Sequence, residues 1–255
     1  MSKNTYNCIA LYGSQDFYTD LIEWYKFVSQ WLVDRGYKID KVGIVGPGFT
    51  GKAVKFNKIK KKLNESKLDS VKSFEIYSVP QGKKQAVFDW RITADINLDQ
   101  GVTVFCYDAN LFPLNKKLVE EIIKNLIKIT EVNYGIFYQR AANKGPALYA
   151  YGMTSGLGYS DDEMKEGDRI TKWMCLTADE RKLSLRDVYQ INILSKEHLE
   201  KIVNNMTLQE WIVEAESRGI LEQINDKLWF WRVNTDNIDK IRMELSEKGI
   251  LSCYP

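Results

Sequence analysis

Hydrophobic and polar positions alternate with period two over residues 88–96. Phe88, Trp90, Ile92, Ala94 and Ile96 fall on one face of a predicted strand, Ala86–Ile96, and Asp89, Arg91, Thr93 and Asp95 on the other, so one face is expected to be core and the other polar. Further strands are predicted at Tyr6–Tyr12, Val42–Val45, Val71–Val79, Val102–Tyr107 and Val132–Tyr138. The links Gln81-Gly82-Lys83 and Asp99-Gln100-Gly101 are short and polar, which suits antiparallel neighbours. Helical spacing governs Phe17, Leu21, Trp24, Tyr25, Val28, Trp31 and Leu32, with Ser14 as the expected N-cap and Gly36 as the stop. A second helix is predicted over Leu118–Ile129. Between Val54 and Leu63 apolar residues are interleaved with Lys55, Lys58, Lys60, Lys61 and Lys62, the pattern of a short helix with one basic, solvated face.

Regular signals weaken from Arg140 to Asp187. Leu148–Met153 reads as a strand or a helical turn, and the acidic run Asp161, Asp162, Glu163, Glu166 and Asp168 reads as a loop. Beyond it, Ser195 is placed to cap a helix over Lys196–Val203, and Thr207-Leu-Gln-Glu210 matches a capping box opening a helix that ends at Arg218-Gly219. Leu221–Ile224 and Leu228–Val233 read as a hairpin. A last helix carries Ile238, Ile241 and Leu245 inward and stops at Gly249, before an edge strand over Ile250–Tyr254. The fold class expected is α+β: a mainly antiparallel sheet with packed helices in an N-terminal lobe (1–140), a Tyr/Gly-rich and acidic connecting region (141–185), and a smaller C-terminal α+β lobe (186–255).

A chain of 255 residues with 44% hydrophobic side chains can bury a substantial core, and a net charge of +2 carries no overall bias toward nucleic acid. No apolar run is long enough to span a bilayer, and a cytoplasmic protein is expected. Cys8, Cys106, Cys175 and Cys253 are scattered and read as buried free thiols. The stretch Gly46-Pro-Gly-Phe-Thr-Gly51-Lys52 has the glycine and lysine spacing of a phosphate loop, but Ala53 stands where such a loop has the hydroxyl that holds magnesium, so a strand-to-helix turn is the preferred reading over nucleotide binding. Asp108, at the end of a hydrophobic strand, is read as a loop or cap residue.

The single histidine, His198, is expected on a solvated surface, and no nucleophile-elbow, zincin or Cys/His pattern is present. Two acids brought together from different strands would leave no signature. Asp89 and Asp95, which share a strand face, stand roughly 20 Å apart at six residues' separation and cannot form such a pair with each other. No catalytic residue, cofactor or metal is therefore expected.

The order of elements, with Asp89-Trp90-Arg91 on a central strand, a tyrosine- and glycine-rich middle, and Trp211, Trp229 and Trp231 near the end, resembles the immunity proteins of bacterial polymorphic toxin systems, in particular the immunity protein 52 family. The resemblance implies a non-enzymatic protein that binds a cognate toxin, in some cases a nuclease; no membrane partner is expected, and the alternatives are a nucleotide binder using Gly46 to Lys52 or a nucleic-acid-binding module using the basic helix Lys55 to Lys62. The expected partner-binding residues are Asp89, Trp90 and Arg91, the tyrosines Tyr149, Tyr151 and Tyr159, and the acids Asp161, Asp162 and Glu163.

Overall fold

The structure, a computed structural model, describes residues 4–14, 19–65, 68, 70–80, 90–155 and 160–253. In chain order the first part contributes β1 (Thr5–Tyr12), α1 (Leu21–Asp34), β2 (Lys41–Val45), β3 (Val54–Lys55), α2 (Phe56–Glu65), β4 (Ser73–Ser78), β5 (Ile92–Asn97), β6 (Val102–Asp108), α3 (Lys116–Ile129) and β7 (Tyr134–Ala141). There follow α4 (Pro146–Ala150), α5 (Asp161–Cys175), α6 (Ala178–Leu183), β8 (Ile191–Ser195), α7 (Lys196–Leu199), β9 (Ile202–Val203), β10 (Met206–Thr207), α8 (Leu208–Glu214), β11 (Ile220–Gln223), β12 (Leu228–Arg232) and α9 (Ile238–Glu247).

This is an α+β fold built on a large antiparallel sheet. Ten of the described strands form it, in the order β11-β12-β8-β7-β1-β6-β5-β4-β2-β3. Strands from the C-terminal part therefore extend the sheet begun by the N-terminal part. The two are also joined across α3, where Glu120 pairs with Arg232 of β12 at 2.6 Å and Lys124 lies 5.6 Å from the Phe230 ring centre.

Helices cover both faces. On β1 the alternation sends Ile9 and Leu11 toward α1 and α3, where they pack with Trp24, Trp31, Ile122 and Phe105. Cys8, Ala10 and Tyr12 point the other way, into a core closed by Trp173, Leu199, Trp211 and Ile241 from α5, α7, α8 and α9. A strand buried on both sides reads as a nearly continuous apolar run, which is what residues 8–12 show.

Several boundaries differ from expectation. α1 begins at Leu21, and its N-cap is Asp20, whose carboxylate accepts from the Ile22 and Glu23 amides at 3.0 Å; Ser14 is not the cap, and Phe17 lies outside the described residues. The glycine turn after β2 leads to a strand rather than directly to a helix. β2 and β3 pair antiparallel, with Phe49 N–H donating to Gly46 O at 3.0 Å and Gly51 N–H to Ile44 O at 2.9 Å, so amides that a phosphate loop would aim at its ligand close a hairpin instead. Lys62 donates to Gly48 O and crosses the Phe49 ring at 4.7 Å.

β5 begins at Ile92, and Trp90 is not on the face of Ile92, Ala94 and Ile96. It packs edge-on against Tyr6 at 4.5 Å, in the opposite core, because it precedes the regular strand and escapes its alternation. The partner face of β5 is not open to solvent either: Thr93 is buried, and Tyr151 donates to Asp95. Asp108 ends β6 and accepts from the Asn110 amide at 2.9 Å.

The acidic run, expected as a loop, is the first half of α5. Ser160 caps it by accepting from the Glu163 amide at 3.3 Å, and three acids in the first turn complement the helix dipole. The helix after Ser195 stops at Leu199 instead of Val203, because Asn204 and Asn205, with φ of 51° and 66°, turn the chain into the β9–β10 hairpin. α8 ends at Glu214, with one 3₁₀ turn (Glu216–Arg218) before Gly219. In place of a terminal edge strand, Leu251 makes a single parallel bridge to Leu185. Cys175 is exposed, whereas Cys8, Cys106 and Cys253 are buried.

Gly135 on β7 sits where side chains of both neighbouring strands close in. A Cβ there would lie 2.6 Å from Leu11 Cδ2 and 2.9 Å from Ile193 Cδ1, so Gly135→Ala is expected to cost about 1–3 kcal/mol by overpacking, read as a lower denaturant midpoint at unchanged slope.

Candidate functional site

α4 is a short helix laid on the β1–β6–β7 part of the sheet, and the described residues with unusual polar chemistry gather on its two sides. It starts at Pro146, whose missing N–H is no loss in a first turn, after Gly145 in left-handed conformation. Its far end is held against α5 by Gly152, where φ is 77° and a Cβ would stand 2.4 Å from the Met174 amide nitrogen.

On one side lies a cleft of about 360 Å³ where Arg140, Arg169, Arg186 and Arg242 meet Tyr149. Arg140, at the end of β7, ties the surrounding segments together: Nε donates to Lys144 O at 2.8 Å, Nη1 to Glu166 at 2.9 Å and Nη2 to the Thr154 hydroxyl at 2.9 Å. Burial raises the Glu166 pKa, but Lys144 and Arg140 outweigh it and hold the carboxyl below its ordinary value. Arg242 on α9 engages Asp187 at 2.6 Å. Tyr149 lies between two guanidinium groups, 4.6 Å from Arg140 and 3.9 Å from Arg186, and its hydroxyl shares a 2.8 Å hydrogen bond with Tyr189.

Behind the cleft an aromatic stack runs into the core. Tyr134 stacks on Tyr12 at 5.6 Å and on His198 at 5.2 Å, and the Trp173 ring meets Tyr12 edge-on at 5.1 Å. Burial pushes the Tyr12 phenol up to about 12 against the opposing pull of Arg186, so it stays neutral and offers the guanidinium a hydroxyl but no charge. His198 is thus not a surface residue. It is fully buried, with Nδ1 2.9 Å from Ser195 Oγ and Nε2 3.3 Å from Ser184 O, and because that carbonyl can only accept, the proton sits on Nε2. The charged neighbours in sequence point outward while the imidazole turns in to cap its own helix.

On the other side of α4 is a smaller pocket, about 120 Å³, where Glu75 and Asp95 stand directly opposite each other on β4 and β5. Tyr77 donates to Glu75 at 2.6 Å, and Tyr151 donates to Asp95 at 2.6 Å. Burial, reinforced by the neighbouring Glu75 and only partly offset by the Tyr151 hydroxyl, raises Asp95 to about 7. This carboxylate pair was invisible in the linear sequence. Its only trace is that Glu75, Tyr77, Thr93 and Asp95 occupy the polar positions of two alternating strands.

The residues expected to bind a partner are sorted by α4. Tyr149 and Asp162 line the arginine cleft, and Asp161 and Glu163 flank Asp162 on the first turn of α5. Trp90 and Tyr151 are buried at the carboxylate pocket, and Arg91 is fixed through its backbone between Ser78 O and the Asp108 amide, each at 2.8 Å. Asp89 and Tyr159 lie outside the described residues. Sequence reasoning did not single out Arg140, Arg186 or Arg242, which are separated by 46 positions or more and carry no motif. Among the described residues no group of three or more His, Cys, Asp or Glu is placed to hold a metal ion, and no helix is long and apolar enough to cross a membrane.

The two buried titrating groups act in opposite directions with pH. Asp95 is an acid whose folded pKa is raised, so its contribution is complete below the unfolded value near 3.8 and is lost as pH rises through about 7. Asp95→Asn, which keeps the acceptor for Tyr151, is expected to raise stability by roughly 2 kcal/mol above neutrality and to flatten the decline between about pH 4 and 7 in denaturant titrations. His198 is a base lowered by burial to about 4, so its contribution holds above 6.5 and is lost as pH falls toward 4. His198→Gln is expected to reduce the pH dependence of melting in that acid window while lowering stability at pH 7 by about 1–3 kcal/mol.

No protein-family model matches the chain, and no curated protein matches it in sequence. The chain is similar in structure to the T6SS protein PA0821 of Pseudomonas aeruginosa, with a TM-score of 0.54 and 10% identity over 99% of this chain and 75% of that one. At that identity the likeness is one of fold.

Proposed function

We propose that this protein is a non-enzymatic immunity protein that acts in the cytoplasm and neutralises a cognate bacterial toxin by direct protein–protein contact. The observation that carries the reading is the fold likeness to a T6SS protein over nearly the whole chain, which agrees with the resemblance to polymorphic-toxin immunity proteins in the order of elements and aromatic usage. A surface suited to such contact lies at the mouth of the arginine cleft. Tyr149 offers a large ring whose position is set by two guanidinium groups, so little side-chain freedom is lost on binding, and Asp161 and Asp162 stand exposed beside it. Arginine and tyrosine are the side chains that dominate binding energy where they sit in preformed pockets. The buried Trp90 and Tyr151 are supports for α4 in this reading rather than anchors. The carboxylate pair of Glu75 and Asp95, closed over by two tyrosine hydroxyls, is assigned a structural role.

The test is to search the adjacent reading frame for a secreted toxin domain and to co-purify the protein with it, followed by kinetics. Asp161→Lys combined with Asp162→Lys is expected to slow association about tenfold at low salt, and Tyr149→Ala to speed dissociation by a similar factor. Association and dissociation rates unchanged in both variants would exclude this face. Failure of the wild-type protein to bind or inhibit the neighbouring toxin would remove the reading as a whole.

A further inference from the structure

Arg186 is 1% exposed, yet it lines the cleft. Its guanidinium faces the Tyr149 ring at 3.9 Å and the Trp173 ring at 5.3 Å, which leaves the donors in the guanidinium plane to find acceptors. Nη1 donates to the Tyr12 hydroxyl at 3.3 Å, whereas Nη2 is buried with no acceptor. No described carboxylate forms an ion pair with it: Asp187 is taken by Arg242, and Glu166 by Arg140 and Lys144. The neighbouring phenol of Tyr12 is neutral and cannot balance the charge. A guanidinium remains protonated in any folded protein, and a buried cation without an anion is among the costliest arrangements a chain can hold. Four guanidinium groups line this cleft against the carboxylates of Asp162, Glu166 and Asp187, so the local balance is positive.

We propose that the cleft is an oxyanion site, in which a carboxylate or phosphate group accepts from Arg186 Nη2 and is further held by the charge of Arg169 at the rim. Two oxygens in one plane match the fork of a guanidinium, and a donor already desolvated binds such a group more strongly than an exposed one. Nη2 is shielded from water, so an oxyanion that reaches it displaces the atoms that cover it. The cleft is larger than a free anion requires, so the oxyanion is borne by a bigger molecule. Two sources share this chemistry: an acidic side chain of a protein partner, in which case the site serves the function proposed above, and a phosphorylated small molecule, in which case it is independent of it.

The experiment titrates the full chain with inorganic phosphate and, separately, with N-acetylaspartate as a stand-in for an acidic side chain, at ionic strength held constant with sodium chloride. The readouts are Tm, Trp173-sensitive fluorescence and the side-chain ¹⁵N resonances of arginine. A saturable rise in Tm with at least one anion is expected, together with a shift of the Arg186 resonance. Binding should weaken about tenfold in Arg186→Lys, which keeps charge but loses the fork, and about threefold in Arg169→Gln. Where Arg186→Lys does not fold, Arg169→Gln and the wild-type Arg186 resonance decide. A response to phosphate alone identifies a phosphorylated ligand, and one to N-acetylaspartate an acidic side chain. Responses equal to those of chloride for both anions, an unmoved Arg186 resonance, or equal affinity in the folded variants would overturn the site. Anion binding by a protein that ignores the neighbouring toxin would leave this site intact and remove only the immunity reading.

Discussion

β1 is hydrogen-bonded on both edges, to β6 and β7, and buried on both faces, and the rest of the molecule is arranged around that constraint. A strand in this position must satisfy its backbone within the sheet and its side chains within two separate cores. Ile9 and Leu11 close one core with α1 and α3; Cys8, Ala10 and Tyr12 open the other, which the helices of the second part complete. Neither helical layer could be removed without exposing one side of the same strand. The interdependence of the two parts of the chain follows from this, and the Glu120–Arg232 pair on α3 and β12 is a smaller expression of it.

Tyr12 carries that constraint to the surface. Its ring joins Tyr134 and Trp173 in the second core, while its hydroxyl donates to Ala150 O at the end of α4 and accepts from Arg186. The helix that divides the arginine cleft from the carboxylate pocket is thus seated on the central strand. Both polar clusters are products of burial. Arg186 is held by aromatic faces instead of a counter-ion, and Asp95 holds its proton to higher pH than an ordinary carboxyl because water is excluded and Glu75 stands opposite. Arrangements of this kind cost stability and persist where the surrounding packing fixes them.

The helical spacing of Trp24, Val28 and Trp31 was sufficient to place α1, because one periodic face packs on one sheet. Its start is not fixed by sequence, since both Ser14 and Asp20 are residue types that cap, and in the structure Asp20 does so. α5 was legible in principle. Ser160 and Glu163 have the spacing of a capping box, but the acids that follow looked like a solvated loop because α5 buries only Ile170 and Trp173 of its described side chains. The burial of His198 could not be read from charged neighbours, which surround it in sequence and face away from it in space.

What the sequence by itself determined are the elements whose signal is local: strands with strict alternation, helices with one apolar face, and the capping box at Thr207. Those follow from backbone geometry and hydrogen bonding within a few residues. What only the tertiary structure decided is which polar residues leave water. Glu75 meets Asp95 through strand register, and Arg140, Arg186 and Arg242 meet around Tyr149 because β7, the segment before β8, and α9 converge behind α4. Neither encounter has a spacing in the chain. Electrostatic character depends on distance and on the exclusion of solvent, and both are properties of the packed chain alone.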